Sequence, residues 1–286
     1  METIESQARS LATLGHPGRL GVFRLLARRA PGAVRPGEMA EALALKPNTL
    51  SVYLSALAEA GLVTSERRGK AIYYRVDMAR AGALIDFLAA DCCRGRPALC
   101  APRTAAALAP EETDLMSDRR LNVLFICTGN SARSIFAESI LRAEAGDRFV
   151  AHSAGTRPYS ELNPFAVEML EAKGHDVSAL RAKNVSEFQG AEAPLLDFVF
   201  TVCDQAANEE CPAWEGQPVT AHWGMPDPVK ATGTDAEKRL AFQQAYGALR
   251  NRIRAFAALP LETLDRVARQ SAVDRIAAAG NEETTA

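Results

Sequence analysis

A cysteine and an arginine with five residues between them, Cys127 and Arg133, lie in the segment CTGNSARS. The preceding run, LNVLFI over 121–126, is continuously apolar, as a buried parallel strand should be. The following run, IFAESILRAEAG, reads as a helix. Strand, loop and helix in this order build a cradle for a tetrahedral oxyanion. Backbone N–H groups of Thr128, Gly129, Asn130, Ser131 and Ala132 can wrap the anion, and the helix N-terminus adds positive potential. Arg133 offers a planar fork for two oxyanion oxygens. The same groups favour a thiolate at Cys127, whose pKa is expected to fall below that of a free thiol, and Ser134 can donate to the sulfur. A nucleophile poised against a bound oxyanion is the result. A departing oxygen needs a proton, and Asp227, set between Pro226 and Pro228 in HWGMPDPVK, is the best-placed acid. Of the histidines, His222 lies near that loop and could orient it, with a packing role the first expectation.

A second chemistry is written into the first hundred residues. DCCRGRPALC brings Cys92, Cys93 and Cys100 around a Gly/Pro turn. Three thiolates without a nearby histidine or carboxylate suit a thiophilic ion such as trivalent arsenic or antimony, whereas tetrahedral zinc wants a fourth ligand. Ahead of them, a short helix over 35–43, a break at 44–46 and a helix over 47–60 precede two strand-like runs around a basic turn. Leu50, Leu54 and Leu57 recur at helical spacing and must face a core. That turns Asn48, Thr49, Ser51, Tyr53 and Ser55 toward a major groove, with Arg67, Arg68 and Lys70 placed for phosphates. This order is that of a winged helix-turn-helix on double-stranded DNA. An earlier helix opened by Pro17 is expected to bury Leu20, Phe23 and Ala27, and a long helix from Met78 to reach Cys92.

Apolar residues make up 48% and charged residues 24% of the 286, which excludes a fibrous or globally disordered chain. No uncharged apolar run is long enough to span a membrane and the N-terminus lacks a signal core, so a cytoplasmic address is expected. The net charge of −2 conceals a basic first part and an acidic second part, the balance of a nucleic-acid module fused to something else. The expected organisation is a DNA-binding and metalloid-sensing domain over 1–100, a linker over 101–120, an α/β domain with a parallel sheet over 121–260, and a C-terminal helical tail over 261–286, weakly amphipathic from Leu261 to Ile276 and frayed at NEETTA.

LATLGHPGRL, the helix-turn-helix, GLVTSERRGKAIYYRV and the cysteine triad together resemble the ArsR-type metalloid-responsive repressors. The resemblance implies a homodimer formed through this domain on a palindromic operator, released when arsenite or antimonite binds Cys92, Cys93 and Cys100. Over about 121–257 the chain resembles the low-molecular-weight protein tyrosine phosphatases, on CTGNSARS and Asp227-Pro228. Val229 and Lys230 stand where such phosphatases carry aromatics, and TVCDQAANEECPAW and the HWG of 222–224 are similar to the arsenate reductases built on that fold. This resemblance implies that Cys127 attacks arsenate, Asp227 protonates the departing oxygen, and Cys203 and then Cys211 relay a disulfide to the surface. Catalysis would need no tightly bound cofactor, only an external thiol reductant. The Cys-x7-Cys spacing is one residue longer than the thioredoxin-coupled pattern, which leaves thioredoxin and glutathione with glutaredoxin both open. A phosphatase fused to a metalloid-responsive regulator is the alternative.

Overall fold

The structure, a computed structural model, describes residues 4–88, 119–190, 192–209, 214 and 218–282. The proposed metalloid ligands Cys92, Cys93 and Cys100, the relay cysteine Cys211 and nearly all of the proposed linker lie outside these residues. The chain divides into two compact units, 1–110 and 111–286.

In the first unit α1 (Ile4–Leu14) and α2 (Pro17–Arg28) precede the helix-turn-helix pair α3 (Pro36–Ala42) and α4 (Pro47–Glu59). Proline opens α2, α3 and α4, where its missing N–H costs nothing and its fixed φ suits the first turn. Ala44 adopts a left-handed φ of 51° in the tight turn before α4, and Gly61 at 72° ends α4. Strands β1 (Val63–Arg68) and β2 (Ala71–Val76) pair antiparallel around Gly69-Lys70 and form the wing; α5 spans Met78–Asp86. Leu50, Leu54 and Leu57 enter the core with Val22, Leu25, Leu26, Met39 and Leu62. Helix α2 thus buries Val22, Leu25 and Leu26, and Leu20 remains 40% exposed, contrary to the face expected from sequence. Apolar residues on nearly all sides of this helix made its periodicity ambiguous. Helix α1 was not foreseen. The Arg80 guanidinium on α5 ties it down through the carbonyl of Ser6 and the hydroxyls of Ser6 and Ser10.

The second unit is a four-stranded parallel sheet of β3 (Leu121–Cys127), β4 (Phe149–Gly155), β5 (Phe198–Thr201) and β6 (Val219–His222), in the order β4-β3-β5-β6. Its helices are α6 (Arg133–Ala145), α7 (Pro164–Ala172), α8 (Asp204–Asn208), α9 (Asp235–Ala257) and α10 (Arg266–Glu282). Strand β3 has β4 on one side and β5 on the other, so the chain reverses its winding there. In such sheets the crevice beyond the carboxyl ends of the strands at the switch is where ligands bind. The CTGNSARS loop leaves β3, and Cys203 leaves β5, at that crevice.

The core is aromatic. Trp223, fully buried, stacks on Phe200 with ring centroids 4.1 Å apart and planes 11° apart, and Phe125 and Phe256 pack around them. Trp223→Ala is expected to cost about 3–5 kcal/mol, read as a lower midpoint in urea unfolding of the full chain. Leu261, Val273 and Ala277 are also buried in this core: the expected helical tail forms α10 and packs against β6. Alanine-rich helices carry little periodic signal, which is why its amphipathic pattern in the sequence is weak. Among the described residues no helix is long and apolar enough to cross a membrane.

Candidate active site and nucleic-acid interface

The loop after β3 is held by its carbonyls. Those of Cys127, Thr128, Gly129 and Ser131 accept from the N–H groups of Thr156, Arg157, Tyr159 and Asn163, all in the segment following β4. A peptide's N–H points away from its C=O, so carbonyls fixed outward leave the N–H groups turned inward. One of them, that of Asn130, donates to Cys127 Sγ at 3.2 Å. Asn130 sits at φ 44°, a left-handed conformation that a non-glycine residue adopts only when its surroundings enforce it. Its side chain does so: Nδ2 donates to Ser134 Oγ and Ser153 Oγ, both at 2.9 Å, and Oδ1 accepts from the Lys183 N–H at 2.6 Å. Behind it, Glu138 accepts from Ser153 Oγ at 2.5 Å and from Lys183 Nζ at 2.9 Å, all three residues being buried. Glu138, Ser153 and Lys183 went unnoticed in the sequence because they come from three elements and share no local motif.

Gly155 closes the loop from β4. A Cβ there would lie 2.7 Å from the Thr128 carbonyl oxygen and 3.1 Å from the Asn130 nitrogen, which are backbone atoms that cannot swing aside. Gly155→Ala is therefore expected to displace the cradle and lower kcat/KM by as much as about 10²-fold with the fold retained, measured by steady-state kinetics beside circular dichroism.

Cys127 is 3% exposed and its sulfur lies 2.9 Å from Ser134 Oγ. Burial pushes its thiol above the ordinary range and Cys203 adds to this; hydrogen bonds from Ser134 and the charge of Arg133 pull it down without prevailing. The expectation of a lowered pKa is therefore corrected. It left out the burial of the sulfur and the neighbouring Cys203. Arg133 Nη2 is paired with Asp227 Oδ2 at 2.8 Å, and Arg133 Nη1 donates to the Met225 carbonyl at 3.2 Å. Acid loop and oxyanion fork are thus in direct contact. Asp227 also caps the short turn Pro228–Lys230 by accepting from the Val229 N–H.

Cys203 is buried, a free thiol, and lies against the same loop, its sulfur 3.4 Å from Thr128 Oγ1. It caps α8 by accepting from the Ala206 N–H at 3.4 Å. Cys127, Ser134, Arg133, Asp227 and Cys203 are thereby brought to one place. His222 is buried, as a packing role requires, and also makes two polar contacts: Nε2 to Asp204 Oδ1 and Nδ1 to Thr201 Oγ1, both at 2.9 Å.

In the first unit, Asn48, Ser51 and Ser55 are exposed along α4 and Thr49 is half-buried. Tyr53 is turned back against α2: its ring centroid is 5.1 Å from that of His16, and a Cβ on Gly18 would fall 2.5 Å from its ring. The free row instead includes Val52, 66% exposed, which sequence reading passed over and which could meet a thymine methyl. Arg67, Arg68 and Lys70 are exposed on the wing, with Arg68 drawn toward Glu66 and over the Tyr73 ring.

A helix-turn-helix domain model matches residues 14–66 and the low molecular weight phosphotyrosine protein phosphatase model matches residues 122–270. The arsenate reductases of Halalkalibacterium halodurans and Bacillus subtilis are each 36% identical over 135 residues, covering 47% of this chain and 94% of theirs. A solved arsenate reductase in the phosphate binding state is 22% identical, covers 48% of this chain and 97% of its own, and has a TM-score of 0.39. With the family's match extending over more than half of its length, the chain belongs to the low molecular weight phosphotyrosine protein phosphatase family, and it carries a helix-turn-helix domain ahead of that fold.

Proposed function

We propose that the chain is an arsenate reductase fused to an arsenite-responsive repressor. One observation carries the enzymatic half: a second free, buried thiol, Cys203, rests on the oxyanion loop of the nucleophile Cys127. Hydrolysis of a phosphate ester needs only water after the first displacement, whereas reduction of arsenate needs two electrons, which two thiols supply by becoming a disulfide. The arsenate reductases at 36% identity support the same substrate.

In this reading Arg133 and the loop N–H groups grip arsenate, and the Cys127 thiolate attacks arsenic(V). Asp227, which takes up the Cys127 thiol proton as arsenate replaces it on Arg133, passes that proton to the departing oxygen, which leaves as water. The Cys203 thiolate then attacks the Cys127 sulfur. The S–As bond breaks with its electron pair going to arsenic, so arsenite departs as arsenic(III) and a Cys127–Cys203 disulfide remains. Cys211 attacks Cys203, freeing Cys127, and a thioredoxin- or glutaredoxin-type partner reduces the new disulfide.

The exposed row on α4 and the basic wing support operator binding. Ile4 and Leu11 on α1 and Ile85 on α5 are exposed on helices tied to each other, and a second copy would cover them. Arsenite held by Cys92, Cys93 and Cys100 would release the DNA, so the enzyme's product would be the regulator's ligand.

The test is arsenite formation from arsenate by the full chain, with thioredoxin/NADPH and with glutathione/glutaredoxin. Turnover is expected with one of these and is expected to vanish in both Cys127→Ser and Cys203→Ser. Aryl phosphate hydrolysis that survives Cys203→Ser, without arsenite formation, would make the domain a phosphatase instead.

A further inference from the structure

Cys203 must reach Cys127 from a defined direction, yet the helix that presents it, α8, has only five residues. A helix that short has no stability of its own. Its sulfur cap on the Ala206 N–H is weak and is given up when that sulfur enters a disulfide. At its far end Glu209 meets Arg157 at 2.8 Å, an exposed ion pair with little holding power. A further anchor is at the first residue, where Asp204 meets the buried ring of His222.

His222 brackets the thiol. Thr201, on its Nδ1, is two residues before Cys203, and Asp204, on its Nε2, is one residue after. An ionised carboxylate only accepts, so Nε2 carries the hydrogen, and the ring's orientation is set by Thr201 on the other side. Gly224 lies over this bond: a Cβ there would fall 2.4 Å from His222 Nε2 and 2.6 Å from Asp204 Oδ1. Its backbone is fixed in turn by Arg252 Nη1, which donates to the carbonyls of Trp223 and Gly224 at 2.8 and 3.2 Å. The strand end, the first turn of α8 and the stretch leading to Asp227 therefore meet on one imidazole.

We propose that His222 is a positioning residue for the second thiol: by joining Thr201 to Asp204 it fixes the place from which Cys203 attacks the Cys127 sulfur. The proposal rests on the reading of Cys203 as the thiol that releases arsenite. His222 touches neither arsenate nor sulfur, and its effect is confined to the second displacement. A ring that merely filled space would be replaceable by leucine; a ring that holds Asp204 would be replaceable only by another N–H donor.

The experiment follows a single turnover of arsenate by the full chain, reading the rate of arsenite release. Beside it run the rate of Cys127 alkylation by iodoacetamide and the inhibition constant of inorganic phosphate. Asp204→Ala, a change at a half-exposed side chain, and His222→Leu are expected to slow arsenite release about tenfold or more while alkylation and phosphate inhibition stay within about twofold. His222→Gln, which keeps an N–H toward Asp204, is expected to restore much of the rate. Release at the wild-type rate in Asp204→Ala would overturn the proposal, as would a parallel fall in release, alkylation and phosphate affinity. Asp204→Ala decides the matter if His222→Leu fails to fold. Cys203→Ser separates the two levels: if it releases arsenite normally the catalytic reading fails, and if it is silent while Asp204→Ala is normal only the positioning role fails.

Discussion

Asp227→Asn is expected to move two measurements in opposite directions. Turnover of arsenate should fall about 10²- to 10⁴-fold, because the departing oxygen loses its proton donor. Alkylation of Cys127 at neutral pH should become faster. In the wild type the Asp227 carboxylate is bound to Arg133, and burial holds the thiol above its ordinary range, so little of it is thiolate at neutral pH. An amide in place of the carboxylate leaves the Arg133 charge uncompensated beside the sulfur, which favours the thiolate. The sign is fixed by the direction of the shift. The thiolate fraction grows with pH, so wild-type alkylation should keep rising past the midpoint of a free thiol, about 8.5. The same rise should come at lower pH in Asp227→Asn. Rates of iodoacetamide labelling across a pH series read this directly. Unchanged turnover would remove Asp227 from the proton transfer, and slower labelling would show that Arg133 does not govern the sulfur.

Arg133→Lys is expected to lower kcat/KM for arsenate about 10²- to 10³-fold although the charge is kept. The guanidinium is 9% exposed and works as a fork: one nitrogen holds Asp227 and the other the Met225 carbonyl. An ammonium is a point charge that cannot do both and still present two parallel donors to an oxyanion. The loss should therefore appear in phosphate inhibition as well as in turnover. A lysine variant close to wild type in both would show that charge alone suffices.

The oxyanion cradle was legible because every part of it is local. Cys127, the loop and Arg133 are contiguous, and the apolar strand before and the helix after them announce themselves by composition. The leucines of α4 were legible for the same reason, since one face of a single helix carries the whole signal. What was not legible depends on contacts across the fold. The sign of the Cys127 shift turns on burial and on Cys203, seventy-six residues further along the sequence. The polar role of His222 depends on a carboxylate eighteen residues away, brought beside it because β5 and β6 are parallel neighbours. The left-handed Asn130 is held by Ser153 and Lys183 from two further segments. Tyr53 falls in the polar row of α4 by periodicity, but His16 and the bare Gly18 give its ring a place on α2.

The central claim is that Cys127 and Cys203 supply the two electrons. The most direct measurement uses Cys211→Ser, in which a disulfide between those two cannot be passed on to residue 211. The reduced protein is given arsenate without external thiol, quenched, and mapped by peptide mass spectrometry while arsenite is counted. The expected result is one arsenite per chain and a Cys127–Cys203 disulfide. Arsenite formed while Cys203 remains a free thiol would contradict the claim.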